Sequence, residues 1–109
     1  MAPVQLTKRL DIDSRRRLHV AVQKTLTRWR DLLGQESGAD FLEKVTAFRP
    51  QMAVHGKYGR PCPEYAAPVA RIRYKSNETN YCPDCQTKRR ILSDRSLSRL
   101  LKDDWPGTL

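Results

Sequence analysis

Cys82-Pro83-Asp84-Cys85 constrains this chain more than any other stretch. A Cys-x-x-Cys turn delivers two thiolates from one tight bend, and tetrahedral zinc sites are commonly built from two such turns. Cys62 stands where a first turn would begin, and the residue three places on is Tyr65. Sixteen residues, 66 to 81, separate Tyr65 from Cys82, which is the spacing of a four-cysteine framework with tyrosine in the second place. In a reducing compartment such a pair reads as a metal knuckle before it reads as a disulfide. Zinc is therefore the expected cofactor, held by Cys62, Cys82 and Cys85. A phenol is a poor fourth ligand at neutral pH because it keeps its proton up to about pH 10. His55, Glu64, Asp84 or a water remain as ways to complete the tetrahedron. The alternative is a metal-free hairpin in which Tyr65 packs as an aromatic plug and the cysteines are buried hydrophobes.

The metal matters because 109 residues bury only a modest core. A complete zinc site contributes on the order of 10 kcal/mol of folding free energy, comparable with a small domain's whole margin. The charge balance narrows the partners. Lysine and arginine number 21 against 12 acidic residues, a formal net charge of +9, which favours a polyanion and nucleic acid first. A membrane surface ranks lower, since the basic residues are spread over helix and hairpin alike. The segment from Met1 to Lys8 has no long apolar stretch, and no apolar run is long enough to span a bilayer, so a cytoplasmic protein without membrane attachment is expected.

The periodicities predict a small α+β fold: one long helix, then a β-hairpin with a cysteine knuckle, then a short C-terminal helix. Residues 1–13 have no clear period and read as a loose arm. Leu18, Val22, Leu26, Trp29 and Leu33 recur every three or four positions, predicting a helix from about 14 to 33, capped by Asp13 or Ser14 and closed by Gly34. Its Arg15, Arg16, Lys24, Arg28 and Arg30 suit a solvated face as well as a phosphate-facing one. Residues 39–48 suit a short helical turn broken at Arg49-Pro50, which completes a helical segment over 14–49. Residues 50–90 form the hairpin module. Within it Val69-Ala70-Arg71-Ile72-Arg73-Tyr74 alternates as a strand with Arg71 and Arg73 on one face, Lys75-Ser76-Asn77-Glu78 turns, and Thr79-Asn80-Tyr81 returns. In residues 91–109, Ser93 or Asp94 caps a helix with a Leu97, Leu100, Leu101 stripe, ended by Trp105-Pro106-Gly107.

Val54-His55-Gly56-Lys57-Tyr58-Gly59-Arg60-Pro61-Cys62-Pro63, with Asn80-Tyr81-Cys82-Pro83-Asp84-Cys85-Gln86, resembles the C-terminal zinc finger of the formamidopyrimidine-DNA glycosylase and endonuclease VIII family of base-excision repair enzymes. The Tyr-Gly-Arg before Cys62 and the Cys-Pro-x-Cys-Gln at the end carry the likeness. The 14–33 helix is similar to the last helices of that family's helix-two-turns-helix domain. The resemblance implies a binder of damaged double-stranded DNA whose hairpin enters the minor groove, with the chemistry in another domain. The groove-entering arginine of the family would lie five residues before Cys82, where this chain has Asn77, leaving Lys57, Arg60, Arg71, Arg73 and Lys75 to supply positive charge.

The family's nucleophile is an N-terminal proline followed by glutamate. Here Pro3 follows Ala2 and precedes Val4 and Gln5, so no catalytic residue carries over and the chain is not expected to be an enzyme on its own. His19 lacks a partner at catalytic spacing, and Asp103-Asp104 suits solvation of a helix end better than metal binding. Three readings follow: a DNA-binding module, a zinc-ribbon-like protein-interaction adaptor, or one half of a split glycosylase completed by a separate catalytic chain.

Overall fold

The computed structural model describes residues 1–38, 49–94, 99–104 and 106–109. They fall into two compact units, Leu6–Ala47 and Met1–Gln5 with Phe48–Leu109. The first holds a 3-10 turn at Thr7–Arg9 and the long helix α1, Ile12–Ser37. α1 begins two residues before the predicted start because Asp11, not Asp13 or Ser14, is its cap: the Asp11 carboxylate accepts the Ser14 N–H at 2.6 Å. Its end also lies beyond the prediction. A helix-interior glycine costs only about 1 kcal/mol, so α1 runs through Gly34 and stops at Gly38, whose φ of 55° suits glycine. The 3.6-residue stripe is present, but no residue of α1 is buried: Leu18, Val22 and Leu26 are exposed, and Trp29 and Leu33 are half-buried.

In the second unit, strands β1 (Ala70–Tyr74) and β2 (Asn77–Tyr81) form an antiparallel hairpin. The predicted four-residue turn shrinks to Lys75 and Ser76, so β2 starts two residues earlier than expected. Lys75 takes a positive φ of 54° to make that tight reversal. The register sets Arg71 opposite Asn80 and Arg73 opposite Glu78 without a bulge. Short helix α2 (Pro83–Thr87) follows, with Cys82 as its cap and Pro83 in the first turn, where a missing N–H costs nothing.

A small core of Cys62, Ala67, Val69 and Cys82 joins the two cysteine turns, with Val54 packed against it. Residues 57–69 fold back on themselves through Val69 N–H to Arg60 O (2.9 Å) and Gly59 N–H to Val69 O (2.9 Å). The chain after α2 is tied to the hairpin. Asp94, only 6% exposed, accepts the Arg73 N–H at 2.8 Å, and the fully buried Tyr81 accepts the Leu92 N–H on its hydroxyl at 2.8 Å. Asp94 is thus a brace to β1. Residues 99–101 are helical and Lys102–Asp104 form a 3-10 turn. The expected turn over 39–48, and Leu97 and Trp105 of the C-terminal pattern, lie outside the described residues. Gly107 and Leu109 return beside Arg89 to Ile91. No helix among the described residues is long and apolar enough to cross a membrane.

Candidate metal centre and nucleic-acid interface

The Cys62, Cys82 and Cys85 sulfurs all lie within 4.8 Å of one another, with Cys62 and Cys85 3.6 Å apart. Two Zn–S bonds of about 2.3 Å span a tetrahedral edge of roughly 3.8 Å, close to the Cys62–Cys85 separation. Each turn aims backbone N–H groups at its leading sulfur. The Cys85 N–H reaches Cys82 Sγ at 3.5 Å, and the Glu64 and Tyr65 N–H groups serve the Cys62 sulfur. Cys62 and Ala67 close the first turn backbone to backbone, Cys62 N–H to Ala67 O at 2.8 Å. Gln86 steadies the second, its Oε1 accepting the Cys82 N–H at 2.9 Å while its Nε2 donates to Met1 O.

Burial works to raise the Cys62 thiol, but the Glu64 and Tyr65 N–H groups and the two neighbouring sulfurs outweigh it, leaving its pKa below the ordinary thiol value. Cys85 moves the other way: desolvation, then the neighbouring Cys82 and Cys62 sulfurs, push it up to about 12. Three adjacent thiolates repel, so the cluster sheds all its protons only when a cation takes their place.

No histidine, carboxylate or further cysteine among the described residues brings a ligand atom into this group. Tyr65, at the second place of the framework, is 65% exposed and so is not packed as a plug. His55 lines a separate cavity of about 400 Å³ with Gly56, Ser76, Asn77, Glu78 and Asn80. Asp84 pairs with Arg89 at 3.7 Å. His19 lines a groove along α1 with Leu10, Leu18 and Val22 and belongs to no such cluster among the described residues.

The cationic residues expected to meet DNA occupy different states. Arg60, Arg73 and Lys75 are exposed, as is Asn77 at the start of β2. Lys57 is half-buried and donates to Pro50 O at 2.8 Å. Arg71 lies 4.0 Å over the Tyr58 ring and 3.4 Å from Glu78, which also takes Arg73 at 3.2 Å. Glu78 is oriented by the Asn80 amide at 2.9 Å, and Asn80 in turn accepts the Gly56 N–H at 2.7 Å. That hydrogen bond from Asn80, aided by Arg73 and Arg71 against the cost of desolvation, holds the Glu78 carboxyl below its usual range. Sequence reasoning gave Glu78, Asn80 and Tyr58 no role at the site. A two-residue turn at Lys75-Ser76 would have placed Glu78 opposite Arg73, whereas nothing local marks Tyr58 as the ring beneath Arg71.

Comparison with known proteins agrees with the family likeness. An uncharacterized formamidopyrimidine-DNA glycosylase-like protein of Mycobacterium tuberculosis is 41% identical over 50% of this chain and 34% of its own length. The formamidopyrimidine-DNA glycosylase of Marinobacter nauticus is 33% identical over 77% of this chain and 32% of its own. That of Thermus thermophilus is 28% identical over 79% and 34% respectively. The chain thus spans about a third of the length of the curated relatives it matches. No family model and no solved structure matches it.

Proposed function

Since the chain is a partial relative of the formamidopyrimidine-DNA glycosylases, we propose that it is a DNA-binding module in which a zinc-bearing finger presents the β1–β2 hairpin to double-stranded DNA. The observation that carries this is the gathering of three thiols at the base of a hairpin whose turn exposes Arg73, Lys75 and Asn77. Zinc fixes Cys62, Cys82 and Cys85 together and so sets the hairpin's direction. Arg60, Arg73 and Lys75 attract phosphates, Lys57 and Arg71 flank them, and Asn77 hydrogen-bonds a base edge or phosphate without adding charge. No glycosylase or lyase step is assigned to residues of this chain. Thiol ligands suit a reducing, cytoplasmic compartment.

The test is binding of the zinc-loaded chain to a duplex carrying an abasic site at two salt concentrations. Affinity that falls steeply with salt and disappears on metal removal supports the module; equal retention by Arg60→Ala/Arg73→Ala/Lys75→Ala sinks it. A second reading is favoured by one observation, the exposed Leu18, Val22 and Leu26 on α1. In it α1 docks another protein, as an adaptor or as one half of a split glycosylase. Lyase activity appearing only on addition of a separate catalytic chain would select the split enzyme.

A further inference from the structure

We propose that the metal bound by Cys62, Cys82 and Cys85 leaves its fourth coordination position to an exchangeable ligand from outside the chain. The inference rests on the metal-binding reading above and goes beyond it: the site is open where a structural finger is closed.

Cys62 and Cys85 are one tetrahedral edge apart, 3.6 Å, and Cys82 lies within 4.8 Å of both, so a tetrahedral ion held by the three has one position left. No histidine, carboxylate or cysteine among the described residues has an atom in the cluster to fill it. The framework's own candidate is Tyr65, whose ring stands 65% exposed. Tyr65 contributes to the site through its backbone N–H on the Cys62 sulfur. Solvent reaches the cluster because Cys85 is exposed while Cys62 and Cys82 are buried.

The occupant is a small monodentate donor: water at rest, displaced by a thiolate, whose soft sulfur matches the other three. Such a thiolate has two sources, a small-molecule thiol or a cysteine of a second copy of this chain. Either makes metal retention depend on the thiol available around the protein.

The experiment replaces zinc by Co(II) in the full chain and follows the visible absorption bands, which report the number of sulfur ligands. The wild type should take up one Co(II) and show a three-sulfur spectrum that shifts to a four-sulfur one on adding 2-mercaptoethanol. Tyr65→Cys should show the four-sulfur spectrum from the start and ignore the added thiol. It should also hold Co(II) more tightly, by at least the roughly tenfold that changes in a metal's outer shell already produce. A wild-type spectrum that becomes four-sulfur with rising protein concentration alone also supports the proposal and names the second copy as donor. A wild-type spectrum indifferent to thiol and to concentration overturns it, as does a changed spectrum in His55→Ala or Tyr65→Phe, which would locate the fourth ligand within the chain. Absence of Co(II) uptake by the wild type overturns the metal reading with it, whereas DNA binding is measured separately and stands or falls by itself.

Discussion

Glu78 faces Arg73 directly across the hairpin, its Oε2 3.2 Å from the arginine Nε. The same oxygen lies 3.4 Å from Arg71, one pair further along the same face. A single carboxylate thus neutralises part of the cationic face that the +9 charge would otherwise present, and Asn80 holds it in place from below. Both arginines remain partly accessible to solvent, so these ion pairs contribute little stability, about 0–1 kcal/mol each, and a phosphate competes with Glu78 on nearly equal terms.

Glu78→Gln should therefore tighten binding to duplex DNA about fivefold, on the order of 1 kcal/mol, and steepen its salt dependence. Fluorescence anisotropy at two salt concentrations measures both. A weaker binder would mean that Glu78 positions Arg71 and Arg73 for the DNA and does not compete with it.

Asn80 is 9% exposed and links Gly56 to Glu78. Asn80→Leu leaves the Gly56 N–H without that acceptor and should destabilise the finger by about 1–3 kcal/mol, read as a lower thermal midpoint of the metal-loaded chain. Unchanged melting would show that water takes over the bond.

Stability should fall in acid partly through Glu78. Its folded pKa lies below its unfolded one, so the contribution is present above the ordinary carboxylate range and is lost as pH drops through the folded value. Urea midpoints measured from pH 6 downward should decline less steeply in Glu78→Gln than in the wild type. Parallel curves would remove Glu78 from the acid response.

Removing the metal should expose the thiols. With zinc bound, all three cysteines should resist alkylation; after chelation all three should react, the exposed Cys85 more slowly than its exposure alone would give because its thiol is pushed up to about 12. Mild oxidation of the metal-free chain should join Cys62 to Cys85, whose sulfurs lie 3.6 Å apart, as peptide mapping by mass spectrometry would show. Predominant Cys82–Cys85 linkage would contradict the arrangement of the two turns.

The parts of this protein that could be read from its sequence are those written over a few neighbouring residues. The Cys-x-x-Cys bend, the spacing back to Cys62, the helix of α1 and the strand of β1 each follow from local geometry and have their counterparts in the structure, although β1 does not alternate buried with exposed residues. The ends of α1 were less legible because Asp11, Asp13 and Ser14 are all competent caps, and Gly34 is tolerated inside a helix at small cost.

What the tertiary structure decided was which of these residues remain available. A strand register depends on a turn two residues long, and that register gave Arg71 and Arg73 to Glu78. Asp94 and Leu92 meet the hairpin through backbone N–H and hydroxyl bonds that leave no periodic trace in the chain. Tyr65 could be counted into the fourth ligand place from its position alone, but only packing shows its ring turned to solvent. Spacing along the chain fixes which groups a bend can bring together; burial and long-range hydrogen bonds determine which of them keep a free side.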